Sequence, residues 1–570
     1  MSLINSKHNL GGFDKDQSPN AEAGRSDYCY LFKDAANDPD AGRFTALSAY
    51  DKKDEETIRR LLYFATWIER SNSAHPVDDF HLRIKLPAAF TYFGQFLNHD
   101  LSAPVGSMLG IVDEIPETVI IGQDPLPGIA KMWRAGHTDE ILLHIRNQQA
   151  KPLTLDSLYS DGPFRADGQK TAPEVHALYD AQGLHFVLYP TCAPSAETLA
   201  NAKNPIEQVK GAKDLPRGIE NDKRVTLIAD RRNDGNLILA QLHLAFMLFH
   251  NTVVDILRPE FPDAAACFAA ARRLVTRHYH WCILHDFLPR ILSHGAVKAA
   301  TDNPQLFDHD TKGKVPMEFT TAAFRFGHSL ISGRYDYNSN FGTGKSIDDK
   351  ATLIDLFAFT SAGGMKGYDQ LPNHWVIDWN RMTADVPANV QPGINQSEQI
   401  DTRFAQGLMS VVPDAPTPEF QSIVARNLVR GFHRRMPFGQ VLAKLCNKPV
   451  LSHEDICAAM PNGLAEEAAY PDADGDQDRR SEFASNTPAW LYFLCEAKLI
   501  EGGERLGPTA SQIIAETFVT LMGLQNGAIA GEDGRAWHPS QSPLKTADDQ
   551  PIATLRDLLR YATPPPQAAV

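Results

Sequence analysis

Apolar residues recur at helical spacing through long, well separated stretches of this chain, and almost nowhere do they alternate as the two faces of a strand would. The pattern runs over Ile58–Glu69, over the segment after Pro87, and over Leu237–Leu257 and Ala264–Leu292. It returns over Ser422–Leu445, Ala489–Lys498 and Pro508–Leu524. Pro87 ahead of AAFTYFGQFLNHD fits a proline in the first turn of a helix, where its missing N–H does no harm. Between residues 105 and 225, Pro, Gly and Asp punctuate the chain, which predicts short helices and loops rather than a separate sheet domain. No internal repeat or compositional linker divides it. The expectation is a mainly α fold: one large helical domain over 46–562, with little β structure and long ordered loops. Residues 1–45, crowded with Asn, Asp, Gly and Ser, read as an N-terminal arm laid on the body or left loose, and residues 563–570 as a Pro-rich tail.

Composition removes several classes. Hydrophobic residues make up 43% and charged residues 22% of the 570, too apolar for a disordered chain. A net charge of −15 argues against a partner made of duplex nucleic acid, whose phosphates call for concentrated Lys and Arg. The most apolar run, Leu237–Phe249, is interrupted by Gln241 and His243 and reads as too short to cross a bilayer, so no membrane span is expected. MSLINSKHNLGGFDKD has no apolar core after Lys7, so no secretory signal is read there. The 7 cysteines are scattered and include no C-x-x-C pair. That excludes a zinc ribbon or thioredoxin motif and favours reduced, mostly buried thiols, with the cytoplasm as the default compartment.

Tempting motifs fail on their spacing. GTGKS at Gly342–Ser346 resembles the end of a phosphate-binding loop, but Ser339 stands where the first glycine belongs and RYDYNSN before it is no buried strand. DADGDQD at Asp472–Asp478 has alternating acids, but Gln477 occupies the glycine position of an EF-hand loop. There is no H-E-x-x-H, no G-x-S-x-G, and no GxGxxG after a strand.

Three segments behave differently, because each sets polar residues inside an apolar helix or among aromatics. In TYFGQFLNHDLS, Gln95 and His99 are four apart and share a helical face, offset by roughly 40°. Asp100 points elsewhere. In LIADRRNDGNLILAQLHLAFMLFHN, Arg231 and Arg232 precede a long helix rich in buried positions. In FRFGHSLI, His328 follows Gly327 and sits among aromatics. Taken alone, each histidine reads more readily as a hydrogen-bonded core or surface group than as a ligand. Their joint order resists that reading.

These three segments resemble the distal-histidine, distal-arginine and proximal-histidine motifs of the animal haem peroxidase family, part of the peroxidase–cyclooxygenase superfamily. The first matches G-Q-x-x-D-H-D except for Asn98, and the third matches F-R-x-G-H-[ST]-L-I throughout. ARNLVRGFHRRMPFGQVLAKL (Ala425–Leu445) resembles the R-N-[LI]-x-R-G helix of bacterial members. TPAWLYFLCEAKLIEGGERLGPTASQIIAETF (Thr487–Phe518) is similar to their W-x-Y-x-L-x-E-A and G-x-x-L-G-P stretch. The resemblance runs from residue 50 to 562 in the family's order and implies that family's helical fold.

It also implies a set of roles. His328 is the expected axial ligand of haem iron, and Asn427 the acceptor of its other ring N–H. His99 is the expected acid–base group toward hydrogen peroxide, Arg232 the stabiliser of charge on the breaking O–O bond, and Gln95 the holder of a distal water or halide. Arg325 and Arg430 match arginines that pair with haem propionates, against a surface salt bridge as the plain alternative. The implied enzyme is a haem-dependent peroxidase that reduces hydrogen peroxide through an oxoferryl intermediate. It would oxidise small donors: phenols, other aromatics, iodide, bromide or thiocyanate.

Departures from the family carry their own expectations. Asn98 and Gly235 stand where carboxylates tie the haem covalently in mammalian members, and Asn236 where one member has a linked Met. Non-covalent haem b follows, with weak or absent chloride oxidation. Asp100 matches a calcium carboxylate, and KPLTLDSLYSDGP resembles the second half of the calcium site, with Thr154 in place of an Asp and Asp156 at the next side-chain position. A calcium ion is implied with one charge missing. A fatty-acid dioxygenase of the cyclooxygenase or α-dioxygenase type is the nearest rival, but its radical tyrosine lies three residues before the proximal histidine, where this chain has Arg325. The similar string HYHWC (His278–Cys282) falls too early. A non-catalytic haem-binding relative and a helical adaptor are the remaining alternatives.

Overall fold

The structure, a computed structural model, describes residues 27–38, 52–73, 83–108, 111–112, 138–147, 149, 151–385, 393–410, 421–461, 480–524 and 527–563. Most of the N-terminal arm, the tail beyond residue 563 and the DADGDQD segment lie outside the described residues. The principal helices are α1 (Lys52–Ser73), α2 (Ala89–Leu101), α3 (Leu237–Leu257), α4 (Ala264–Cys282), α5 (Ile423–His433), α6 (Gly439–Leu445), α7 (Ala489–Ile500), α8 (Pro508–Leu521) and α9 (Leu555–Ala562). Strands among the described residues form small two-stranded pairs and one three-stranded sheet.

Helix α3 is the axis of the core. It is apolar almost all round and buried accordingly, packing against α2, α4 and α9. It runs from Leu237 to Leu257 as the apolar period predicts, which, unlike the shorter run Leu237–Phe249, is long and apolar enough by length and composition to cross a membrane. Within the protein, however, 83% of that apolar window is buried, as suits a core helix. Of the polar residues that seemed to interrupt it, Gln241 is satisfied inside, whereas His243 Nε2 is buried with no partner. Gln241 donates to the Trp375 carbonyl at 3.0 Å and accepts from the Ile377 N–H at 2.9 Å. Between α2, α3 and α4 the rings of Phe93, Phe96, Phe246 and Tyr279 meet at 4.9 to 6.3 Å, in stacked and edge-on arrangements.

Three boundaries differ from expectation, each for a local reason. Pro87 ends the strand Arg83–Pro87, which pairs antiparallel with Gln396–Glu398, and the Ala88 N–H extends that pairing to Asn395. Helix α2 therefore begins only after Ala88. Downstream of α4 the helix widens through a π segment, Ile283–Phe287, before one more turn, Leu288–Ile291. That segment lays the Phe287 ring 3.3 Å from where a Cβ on Gly94 would stand, next to Gln95. The predicted helix over 422–445 is broken ahead of Pro437: Arg435 takes φ +54° and α6 starts afresh at Gly439. A Cβ at Gly439 would lie 2.0 Å from Tyr492 Cβ, so only glycine admits the contact between α6 and α7.

The described part of the arm lies on the body. Tyr28–Cys29 pairs in parallel with Val315–Pro316, and the Leu31 and Phe32 N–H groups donate to Glu318 at 3.1 and 3.0 Å. Glu318 is buried, and desolvation pushes its carboxyl up to about 7. GTGKS forms a turn closed by Phe341 and Ile347, with Gly342 and Gly344 at φ +125° and +74°.

Candidate active site

Helix α2 presents Gln95 and His99 on one face, toward the 3₁₀ turn Arg231–Asp234 that leads into α3. His99 is buried, and its Nδ1 lies 2.8 Å from Asn233 Oδ1. An amide oxygen can only accept, so Nδ1 carries the proton and Nε2 keeps its lone pair. The other end of the same amide lies 3.0 Å from His243 Nδ1 on α3. Gln95 is half-buried, and its Oε1 accepts from Asn236 Nδ2 at 3.1 Å. Asn236 also caps α3 by accepting from the Leu239 N–H. Gln95 is thus held by its oxygen, with its two N–H donors turned the other way.

Arg232 is bound to the protein through every guanidinium nitrogen. Nε and Nη2 grip Asp230 at 3.0 and 2.6 Å, Nη1 donates to the Ser102 carbonyl at 2.8 Å, and Nη2 donates to the His99 carbonyl at 2.9 Å. Burial alone would raise the Asp230 carboxyl, but the guanidinium and its hydrogen bonds hold it down at about 2. Arg232 therefore ties the end of α2 to the 3₁₀ turn and belongs to an ion pair. Arg231 turns outward to Glu220, 2.8 Å away.

His328 ends the 3₁₀ segment Ala323–His328, which packs against α2, α7 and α8. The segment is fixed from outside: Trp490 Nε1 donates to the Arg325 carbonyl at 3.2 Å, and Arg325 Nε donates to the Thr320 carbonyl at 2.8 Å. Burial, and then the nearby guanidiniums of Arg325, Arg430 and Arg426, push His328 down to about 3. The imidazole is neutral at any physiological pH. Its Nδ1 lies 3.0 Å from Asn427 Nδ2 on α5, which also donates to the Ile423 carbonyl at 3.0 Å. Asn427 Oδ1 is buried with no partner. The two ends of an amide are nearly isosteric, so a half-turn brings Oδ1 to Nδ1 when that nitrogen carries a proton, at the expense of the bond to Ile423.

These features fit a flat, dianionic, metal-centred ring. Added Cβ atoms on Gly327 and Gly431 would meet nothing within 4 Å, so both glycines border open space. Three guanidiniums stand close enough to depress one imidazole, and an orphaned amide oxygen waits behind it.

The surroundings of Asp100 do not fit the implied calcium. Its carboxylate, fully buried, accepts from the Leu155 N–H at 3.0 Å, the Ser157 N–H at 3.2 Å, Ser157 Oγ at 3.1 Å and Tyr279 OH at 3.1 Å. The loop bends through Leu153 and Leu155 at φ +62° and +60°, and so turns N–H groups toward the acid. Asp156 Oδ1 accepts from Thr154 Oγ1 and from Arg272 Nη2, both at 2.8 Å, and Arg272 also reaches the Thr154 carbonyl at 3.3 Å. A calcium ion needs six to eight oxygens with free lone pairs. Here a guanidinium and four donors take those lone pairs, and among the described residues no cluster of three metal-binding side chains stands together. Burial raises the Asp100 carboxyl to about 6, with Asp156 adding to the rise against the hydrogen bonds.

Sequence reasoning missed Asn233, His243, Arg426 and Arg272. Asn233 stood in plain view beside Arg232, and Arg426 lies one helical turn from Arg430 on α5, the spacing that puts two charges on one face. His243 gave only the sign of a polar residue in an apolar helix. HYHWC is structural: Tyr279 donates to Asp100, and His278 bonds the Ile552 carbonyl and Ser542.

Residues 194–455 match the model of a family described as animal haem peroxidase. That span holds Arg232, Arg325, His328, Asn427 and Arg430, whereas Gln95 and His99 precede it. The chorion peroxidase of Drosophila melanogaster is 25% identical over 299 residues, which is 51% of this chain. The chain spans only 33% of that relative's length. Among solved structures, peroxidase A from Dictyostelium discoideum is 17% identical with a TM-score of 0.45, covering 78% of this chain and 80% of that one. A fatty acid alpha-dioxygenase of Arabidopsis thaliana is 13% identical with a TM-score of 0.44, covering 84% and 69%.

Asp100→Ala strands several buried donors at about 1–3 kcal/mol each and should lower the urea midpoint well below that of Asp100→Asn, which keeps one acceptor oxygen. Because the folded-state value is raised to about 6, above an unfolded value of about 3.9, this group weakens the fold as pH rises between the two. The Ala variant should lose that slope; equal midpoints for the two variants would refute the assignment.

Proposed function

This chain carries an animal haem peroxidase domain over residues 194–455, and from that premise we propose that it is a haem-dependent peroxidase acting on hydrogen peroxide and a small electron donor. The observation that carries the proposal is His328: a neutral imidazole bordered by open space, backed by an asparagine and ringed by three arginines. When bound, haem supplies the iron that receives peroxide and the oxidising equivalents that pass to the donor. Every other part of the reaction falls to side chains.

His328 would hold the metal through Nε2, and Asn427, turned so that Oδ1 meets Nδ1, would accept a hydrogen bond from the Nδ1–H, fixing the ring's orientation and making it a better donor. Arg325, Arg426 and Arg430 would supply the charge that two propionate carboxylates require. His99 Nε2 would take a proton from peroxide and return it to the departing oxygen as water forms, while its Nδ1–H stays on Asn233. Arg232 acts from within its pair with Asp230, so it contributes the field of a dipole and the brace that holds α2 in place. Gln95, its oxygen tied to Asn236, offers its N–H donors to a water or a halide. The donor class is that of small phenols and aromatics, iodide, bromide or thiocyanate. A tyrosyl-radical dioxygenase is disfavoured by Arg325 at the radical position.

The finer assignments rest on particular residues. Asn98 and Gly235 offer no carboxylate for an ester, and Asn236 is spent on capping α3 and holding Gln95, which supports non-covalent haem b. Arg272 on Asp156 and the four donors on Asp100 support a fold that stands without calcium. Seven unpaired thiols, most of them buried, suit a reducing compartment such as the cytoplasm.

The purified holoprotein should show a Soret band that shifts on adding peroxide. His99→Ala should keep the band and slow the shift by about 10²–10⁴-fold, whereas His328→Ala should lose the band. A wild-type protein that binds no haem would end the proposal. Acid acetone should extract the haem completely, and pigment left on the protein would contradict non-covalent attachment. Excess chelator should leave the melting temperature unchanged; a drop restored by calcium would reverse the reading of Arg272.

A further inference from the structure

We infer that Asn233, bonded at its far end to His243, is the positioning residue that keeps the proton of His99 on Nδ1, so that the neutral ring acts as a base through Nε2. The inference rests on the peroxidase reading only for its catalytic consequence. The hydrogen-bond chain itself is a property of the fold: His99 Nδ1 to Asn233 Oδ1 at 2.8 Å, then Asn233 Nδ2 to His243 Nδ1 at 3.0 Å.

A neutral imidazole carries one proton on either of two nitrogens, and only one arrangement is a base at Nε2. With no partner at Nδ1, the ring would divide between the two. An amide oxygen at Nδ1 removes the choice, but an amide can also turn over. Turned over, Asn233 would donate to His99, drive the proton to Nε2 and disable the base. Asn233 is fully buried and its backbone N–H is bonded to the Asp230 carbonyl, so the residue itself cannot swing away. In the orientation the structure shows, the far end of the amide meets His243 Nδ1 at 3.0 Å. His243 is fully buried on α3 and edge-on to Phe96, and burial lowers it to about 4; with its proton on Nε2, which is buried with no partner, Nδ1 accepts from Asn233. The three side chains come from three elements, α2, the 3₁₀ turn and α3, so the chain also fixes where α2 stands relative to the core helix.

The pair is tested on the full chain labelled with ¹⁵N-histidine, by solid-state ¹⁵N spectra in which the signals absent from His99→Ala identify His99. The expected wild-type signature is a protonated Nδ1 and a bare Nε2. Asn233→Leu, similar in volume but without an acceptor, should change it toward a protonated Nε2, and Asn233→Asp should preserve it. A protonated Nε2 in the wild type, or a signature unchanged in Asn233→Leu, overturns the inference. In the holoprotein, Asn233→Leu should slow the peroxide-induced Soret shift by about 10–100-fold with haem content unchanged. The same substitution added to His99→Ala should cost little more, because it acts through a ring already removed. An equal loss in both backgrounds would mean a structural role and sink the proposal. If the wild type shows the expected tautomer yet never reacts with peroxide, the functional reading falls and the positioning pair stands.

Discussion

A buried imidazole keeps a usable lone pair only when something else claims its proton, and both histidines of this site meet an asparagine. His99 meets Asn233 and His328 meets Asn427, each through Nδ1, at 2.8 and 3.0 Å. Burial supplies half of the effect: at His328 desolvation and three guanidiniums exclude the charged form. The asparagine supplies the other half by deciding which nitrogen is free. An aspartate in either place would make a stronger acceptor but bring a charge into an apolar core, where its desolvation needs repayment. A neutral amide orients the ring without that cost.

The two amides differ in what lies behind them, and the difference follows from the helices that carry them. Asn233 sits on a tight turn, and its second end meets His243 on the core helix. Asn427 sits within α5 and leans on its own helix through the Ile423 carbonyl, leaving Oδ1 buried and unpaired. One amide is bonded at both ends. The other retains an unmet acceptor, which a protonated Nδ1 on His328 would meet. In the proposed reading, His328 as a metal ligand would gain that partner on binding, whereas His99 as an acid–base group would need its partner beforehand.

How much of this could be read beforehand depended on whether a residue's role is local or made by distant contacts. The long helices were legible because apolar period is a local property, and so were Gln95 and His99, whose shared face follows from their spacing of four. The boundaries at Pro87, Ala88 and Pro437 were less so, because a strand partner near residue 395 and a left-handed Arg435 decided them. Asn233 stood next to Arg232, but its role was not legible for the same reason: its partners lie 134 and 10 positions away, and nothing in RRND announces either. The calcium expectation could not take account of Arg272, which is 116 positions from Asp156 and donates to it. Spacing can suggest which carboxylates share a loop, but not which distant guanidinium has already taken their lone pairs.

The engagement of Asp100 and Asp156 by protein donors bears on how the site is held. Asp100 follows His99 directly, so whatever grips the Asp100 carboxylate also sets the end of α2 from which the His99 ring projects. Four donors from the loop and Tyr279 grip it here, and Arg232 grips the carbonyls of His99 and Ser102 from the opposite side. The end of the helix is thus fixed by groups of the chain itself, whose positions depend on packing. Directional hydrogen bonds tolerate little displacement, which suits a histidine whose work depends on the placement of one nitrogen. Arg232 is itself fully engaged, paired to Asp230 and anchored to the backbone it steadies.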